Sequence, residues 1–153
     1  MNDPTEQRVL RPVDPQRSGA MRRVLICLDG SSTSEECLPV AVALAKCFDS
    51  DLELVHVLES ESSTRDAAPP DAVHWLIARA EAEEYLAGIT TRLSLSGLRC
   101  KPTVLEGHVA EQILCFAEME RSDLIVMSSQ GEKGVTEWSL GSTTEKVLAR
   151  ARA

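Results

Sequence analysis

Two loops rich in glycine and hydroxyl side chains carry the residue types that bind phosphate. Residues 29–32 are an aspartate, a glycine and two serines after an apolar run, and residues 128–141 hold serines and glycines after another apolar run. Because glycine has no Cβ, its backbone N–H group can approach an anion closely. A helix beginning at Ser142 would turn unpaired N–H groups and its positive dipole end towards the second loop. Strand, glycine loop and helix N-terminus together predict a phosphate site.

Four segments of strand length alternate with segments of helical periodicity. The run 24–28 is continuously apolar, which is typical of a strand covered on both faces, as in parallel sheets. The predicted strands are 24–28, 51–58, 100–105 and 124–127, and the predicted helices are 34–48, 72–95, 110–119 and a last one from residue 142. This order predicts an α/β fold, a single three-layer domain with a mostly parallel, doubly wound sheet.

The longest predicted helix, 72–95, has an apolar face that we expect to pack on the sheet, and Gly97 is placed to end it. The residues assigned to that face are Trp75, Leu76, Ala80, Tyr85, Leu86, Ile89 and Leu93.

Polar and apolar residues at the carboxyl ends of the strands are the candidate ligand contacts. In doubly wound sheets, ligands bind beyond these ends, where the strand order reverses. Asp29, Val57 and Ser128 all lie there. Asp29 has two interpretations, because an aspartate after a strand either contacts a ligand or caps the following helix.

Charge and composition exclude other classes of function. The formal net charge of −8 opposes binding to a polyanion, and aromatic residues, at 3%, leave few platforms for stacked bases. Nucleic acid is therefore not predicted as a ligand, and no apolar run approaches the roughly 20 residues of a membrane span. The polar residues 1–20, with three prolines, are predicted to form a flexible arm before a domain over 21–153.

The five cysteines show neither Cys-x-x-Cys spacing nor a histidine at metal-ligand spacing, so no metal site is predicted. Their odd number, with no signal peptide, favours a reducing cytoplasm. Each is interpreted as a small buried hydrophobic residue. They are Cys27, Cys37, Cys47, Cys100 and Cys115.

No catalytic residue is predicted. His56, inside a strand, is interpreted as a packed core histidine, and His108 as a helix cap or an exposed residue. The chain lacks the Gly-x-Ser-x-Gly elbow of α/β hydrolases and a Walker-type loop with its lysine.

The chain resembles the universal stress protein family over residues 22–150. Residues 24–31 resemble the family's first strand with its terminal acidic residue, and 54–57 its second strand. Residues 123–131, followed by 141–142 and 145–148, resemble its signature. The resemblance implies an adenine nucleotide alpha hydrolase-like fold that binds ATP or ADP, with or without Mg²⁺.

The resemblance also implies roles for individual residues. Asp29 would approach the ribose or adenine, and the backbone of Val57 would pair with adenine. The phosphates would rest on the second loop and the helix after it, while the first loop closes the pocket. The residues assigned to the nucleotide site are Cys27, Asp29, Gly30, Ser31, Ser32, Val57, Met127, Ser128, Gly131, Gly141, Ser142 and Thr143.

Two departures from the family pattern bear on function. Ser128 replaces the first glycine of the Gly-x-x-Gly pattern, and Glu132 brings a negative charge close to the expected phosphates. Family members also continue into a fifth strand that often pairs with a partner subunit, whereas this chain stops at residue 153. The sheet is therefore predicted to have four strands, or five, and the protein to be a homodimer of uncertain mode.

Three functions follow from the resemblance. The first is a cytoplasmic regulator of the stress response whose partner interaction depends on a bound nucleotide. The second is a nucleotide-independent, dimerising stress adaptor with a degenerate site. The third is an adenylating or ATP-hydrolysing enzyme, with any hydrolysis expected to be slow.

Overall fold

The computed structural model describes residues 21–59, 72–129 and 141–152. The predicted flexible arm (1–20), most of the loop 59–71, and the loop positions Gly131 and Glu132 lie outside the described residues. The elements, in chain order, are β1 (Arg23–Cys27), α1 (Ser32–Glu35), α2 (Leu38–Phe48), β2 (Asp51–Leu58), α3 (Ala72–Leu95), β3 (Cys100–Glu106), α4 (Val109–Met119), β4 (Leu124–Val126) and α5 (Ser142–Arg150).

The four described strands form one parallel sheet in the order β3-β2-β1-β4. The chain moves from β1 outwards through β2 to β3, and then returns to the other side of β1 with β4. The strand order therefore reverses at β1, which makes the carboxyl ends of β1 and β4 the two sides of the crevice where such sheets bind ligands. The predicted α/β fold is confirmed.

Alternate residues of the central strand supply two aliphatic cores, one on each face of the sheet. Ile26 packs with α2 and α3, whereas Leu25 packs with α4 and α5. Both side chains are fully buried. Continuous apolarity in β1 thus reflects coverage on both faces.

The predicted helix 34–48 is wrong as a single element, because the structure has two helices there, α1 and α2. Pro39 explains the break. It has no N–H group to donate to the preceding turn, and proline is tolerated in a helix only in its first turn. A new helix therefore begins at Leu38, with the proline in that first turn.

Helix α3 packs on the sheet through a narrower face than predicted. Leu86 and Ile89 are buried, but Leu76 is 65% exposed and Ala80 is exposed as well, so the assignment of these two residues to the inner face is wrong. Leu76 lies about 100° around the helix from the half-buried Trp75, so the two side chains cannot share one narrow face. Gly97, with φ +79°, follows the end of the helix, as predicted.

The interpretation of every cysteine as buried is wrong for two of them. Cys27 and Cys37 are buried and Cys100 is half-buried, but Cys47 and Cys115 are exposed. The exposed pair lie on helices α2 and α4, where Ala45, two residues before Cys47, and Phe116, next to Cys115, occupy the inner faces. Helical residues one or two positions apart point about 100° or 200° away from each other, so the cysteines cannot face the sheet as well.

Glu53 is a charged residue inside the fold, and replacing it tests the cost of its burial. Its side chain, in β2, is only 7% exposed, and its carboxylate lies 3.9 Å from the Lys101 ammonium. Burial raises the pKa of Glu53, and Lys101 only partly offsets this. The folded protein therefore holds this proton more tightly than the unfolded chain, and stability falls as the pH rises from the ordinary carboxyl range through the raised pKa.

We expect Glu53→Gln to be more stable than the wild type at neutral pH, with the difference disappearing under acid conditions where Glu53 is protonated in both states. Urea unfolding at a series of pH values measures this. Glu81→Gln, an exposed change on α3, is the control and should alter stability little. A less stable Glu53→Gln at neutral pH would show that the ion pair with Lys101 outweighs the burial cost.

Candidate functional site

The first loop is a tight turn organised by Asp29. This carboxylate accepts hydrogen bonds from the Ser31 backbone N–H at 3.0 Å and from the Ser31 hydroxyl at 2.6 Å. Between them, Gly30 has φ +86°, a conformation that residues with a Cβ rarely adopt. Asp29 itself is exposed at the carboxyl end of β1. Its carboxylate thus both shapes the turn and faces the edge where a ligand would bind.

The cap of helix α1 is Ser31 rather than Asp29. The Ser31 hydroxyl oxygen accepts a hydrogen bond from the Ser34 backbone N–H at 3.1 Å. The backbone of Ser31 is extended, as is usual for an N-cap residue. Asp29 therefore acts on the helix only indirectly, by holding Ser31. The interpretation of Asp29 as the residue that caps the helix is therefore wrong, and its contact with a ligand stays a prediction.

The second loop ends in a pair of hydrogen bonds between β4 and α5. The Gly141 backbone N–H donates to the Ser129 carbonyl at 2.9 Å, and the Thr144 hydroxyl donates to the Ser128 carbonyl at 3.1 Å. Thr144 is only 7% exposed. The first turn of α5 is thereby joined to the chain directly after β4.

Helix α5 begins without a side-chain cap. Its N-cap is Gly141, which has extended dihedral angles (φ −60°, ψ 147°) and no side-chain hydrogen bond. The Gly141 N–H is bound to Ser129, but the N–H groups of Ser142, Thr143 and Thr144 precede the first intrahelical hydrogen bond. These groups, at the positive end of the helix dipole, can donate hydrogen bonds to an anion.

Glycine at position 141 keeps this helix end open. A Cβ placed there would lie 3.4 Å from the Ser129 carbonyl oxygen and 3.9 Å from the Thr144 hydroxyl. The chemistry of the donors fits a phosphate group, and glycine places no side chain beside them. The described part of the site thus suits the nucleotide that the fold family implies.

The register of the sheet brings the two loops together. Ile26 of β1 pairs with Val126 of β4, so continuing the register places Leu28 opposite Ser128. The residues that follow each strand consequently leave the sheet side by side. Gly131 lies outside the described residues, so its assignment to the phosphates stays a prediction.

Val57 presents its backbone to the crevice. The Leu28 N–H donates to the Val55 carbonyl at 2.9 Å, on the β1 side of β2. Backbone groups along a strand alternate sides, so those of Val57, two residues further on, also point towards β1. Strand β1 has by then ended, at Cys27. This geometry is compatible with the adenine pairing that the resemblance implies.

The wall of the crevice is formed by side chains on the α4–α5 face of the sheet. Cys27 is buried in this core, and Val57 and Met127 are half-buried against it. Burial raises the pKa of the Cys27 thiol to about 12. At neutral pH this thiol is protonated, so Cys27 serves as an apolar wall rather than as a nucleophile.

His56 lies beneath the first loop, on the opposite face of the sheet. Its ring makes an edge contact with Tyr85, with centroids 6.3 Å apart, and Cε1 would lie 3.8 Å from a Cβ at Gly30. Burial lowers the pKa of His56, although the nearby Asp29 charge acts in the other direction. The ring is therefore a neutral packing partner at neutral pH, as predicted for a core histidine.

His108 is exposed at the N-cap position of α4, where it makes no side-chain cap.

The residue that sequence reasoning missed is Thr144. Its only signal in the sequence is the run of hydroxyl residues after Gly141, in which nothing distinguishes the third member from the first two.

Across residues 21–59, 72–129 and 141–152, no group of three or more His, Cys, Asp or Glu side chains could hold a metal ion. None of the helices in those ranges is long and apolar enough to cross a membrane.

Comparison with known proteins agrees with this fold. Residues 21–153 match the family model described as the universal stress protein family. A universal stress protein of Methanocaldococcus jannaschii is 30% identical over 133 residues, which cover 85% of this chain and 77% of that protein. This chain belongs to the universal stress protein family, and the resemblance stated from its motifs is confirmed.

Solved structures show the same fold. Universal stress protein UspA from Lactobacillus plantarum superposes with a TM-score of 0.78 at 22% identity, over 88% of this chain and 94% of that one. A universal stress protein in complex with cAMP superposes with a TM-score of 0.66 at 18% identity, over 88% of this chain and 93% of that one.

Proposed function

We propose that this protein binds an adenine nucleotide, ATP or ADP, between the carboxyl ends of β1 and β4, and that occupancy biases its interaction with a protein partner in the stress response. The observation that carries the proposal is the uncapped N-terminus of α5, held against the end of β4 at the point where the strand order reverses. A solved family member in complex with cAMP supports the capacity of this fold to hold an adenine nucleotide.

Each part of the nucleotide has a matching group on the chain. The N–H groups of Ser142 and Thr143 would hold phosphate oxygens, together with the predicted Gly131. The Asp29 carboxylate would accept a hydrogen bond from the ribose or adenine, and the backbone of Val57 would face the base. Bound nucleotide adds negative charge beside the N–H donors of α5, and this change of surface can favour one state of a partner complex.

A cytoplasmic location is part of the proposal. The thiols of all five cysteines are free. Free thiols are typical of proteins in reducing compartments.

Calorimetric titration with ATP and with ADP, in the presence of Mg²⁺, tests the proposal. We expect saturable binding, and Asp29→Ala should weaken ATP and adenosine binding alike by about tenfold or more, since hydrogen bonds to charged groups contribute about 1.5–3 kcal/mol. Because Asp29 also holds Ser31, Asp29→Asn is the control for a disturbed turn, since its amide oxygen can still accept both hydrogen bonds from Ser31. A loss of binding in Asp29→Ala that is absent in Asp29→Asn would show that Asp29 acts on the turn and not through its charge on the ligand.

Absence of saturable binding at millimolar ATP would contradict the proposal. It would favour the second candidate function, a dimerising adaptor that works without nucleotide. The observation behind this alternative is that β4 lies at an edge of the described sheet, where unpaired backbone groups invite pairing with another strand. Sedimentation analysis would then be expected to show a dimer with and without nucleotide.

A further inference from the structure

The Thr144 hydroxyl joins two elements that meet at the proposed phosphate site. It donates to the Ser128 carbonyl at 3.1 Å, across 16 positions of the chain. The neighbouring carbonyl, that of Ser129, accepts the Gly141 N–H at 2.9 Å. Two consecutive carbonyls after β4 are therefore held by donors from one helical turn. The side chain of Thr144 is more than nine-tenths buried, so water does not compete freely for this bond.

This hydroxyl differs in its role from other threonine hydroxyls of the protein. Thr90 and Thr91 donate to the carbonyls of Leu86 and Ala87, four residues earlier in their own helix. Thr144 lies in the first turn of α5, where no helical carbonyl precedes it by four residues. Its hydroxyl is also not a cap, because it donates to another element rather than accepting an N–H group of α5. The bond thus sets the position of α5 relative to β4.

We propose that Thr144 is a positioning residue for phosphate binding. By holding the Ser128 carbonyl, it keeps the first turn of α5 against the end of β4 and keeps the N–H groups of Ser142 and Thr143 directed into the crevice. Hydrogen bonds weaken steeply when donors are misaligned, so a small displacement of this turn lowers affinity for phosphates. The base and ribose are held by β1 and β2, so their binding does not depend on Thr144. This inference rests on the proposed nucleotide binding.

The test compares ligands with and without phosphates. Thr144→Val keeps the branched shape but removes the hydroxyl, and Thr144→Ser keeps the hydroxyl. Thr90→Val is the matched control, since it removes a half-buried threonine hydroxyl that donates at 2.8 Å within α3, away from the site. Each variant is titrated calorimetrically with ATP, ADP and adenosine.

We expect Thr144→Val to weaken ATP and ADP binding by up to about fivefold, because returning the turn to its position costs at most the free energy of the one lost hydrogen bond. Adenosine binding should stay at the wild-type value. Thr144→Ser and Thr90→Val should bind all three ligands like the wild type. If Thr144→Val does not fold, Thr144→Cys, whose thiol is a weaker donor, replaces it, and the same split between ligands is required.

Unchanged ATP affinity in Thr144→Val overturns the inference while leaving the proposed function intact. An equal loss for ATP and adenosine also overturns it, because a general disturbance of the fold would produce that result. A wild type that binds neither ATP nor adenosine overturns the proposed function, and the inference falls with it.

Discussion

Gly141→Val is expected to lower ATP affinity by at least about tenfold, a loss of about 1.4 kcal/mol. A Cβ at this position would lie 3.4 Å from the Ser129 carbonyl oxygen. The two methyl groups of valine add bulk directly before the N–H groups of α5, and we expect this bulk to hinder a phosphate. The dihedral angles of Gly141 are extended, so valine brings no backbone strain. Valine is a poorer N-cap than glycine, which costs about 1 kcal/mol or less of stability. Calorimetry with ATP measures the affinity.

Gly88→Val is the matched control for this substitution. Gly88 lies within α3, and a Cβ placed there would meet nothing within 4 Å. This variant should bind ATP like the wild type, and Gly141→Ala should lie between the wild type and Gly141→Val. ATP affinity unchanged in Gly141→Val would contradict the assignment of the phosphates to the first turn of α5, because we expect a side chain at the N-cap position to hinder a phosphate there.

Leu86→Ala is expected to destabilise the protein by about 2–5 kcal/mol, the range for truncating a fully buried leucine. Leu86 is completely buried between α3 and the sheet. Its removal takes apolar surface out of the core and leaves a cavity that the dense surroundings fill only in part. Urea unfolding, with the midpoint and slope both fitted, measures the change in the free energy of unfolding.

Leu76→Ala makes the same chemical change in the same helix, at a side chain that is 65% exposed. Its effect should stay within about 0.5 kcal/mol of the wild type. The pair therefore tests how α3 is rotated about its axis. Similar losses from both substitutions would show that Leu76 is covered, as its apolar character suggested from the sequence.

Most of the fold could be read from local patterns. The continuous apolar run at β1, the apolar residues of β2 and the periodic segment of α3 coincide with observed elements, and the β-α order predicted the parallel sheet. The break between α1 and α2 was missed, although Pro39 marks it. Apolar residues recur at helical spacing across the break, so the pattern predicted one continuous helix although Pro39 lacks the N–H group that a helix interior needs.

The candidate site was predictable only in part. Strand ends followed by glycines and hydroxyl residues pointed to the edge of the sheet where the proposed site lies, because the carboxyl ends of parallel strands share one edge. Which groups bond with each other could not be read in this way. The Ser31 cap, the open end at Gly141 and the bond from Thr144 to Ser128 depend on backbone angles and on contacts across the chain.

The sequence by itself determined the class of fold, the family and the edge of the sheet where a ligand would bind. Each of these follows from short motifs, in which apolar runs, helical spacing and glycines determine the local backbone structure. Only the tertiary structure decided which side of α3 is buried and which hydroxyl joins α5 to β4. Those outcomes depend on how elements far apart in the chain pack against each other. A helical face or a hydroxyl group has several possible partners in the sequence, and only the packing selects one of them.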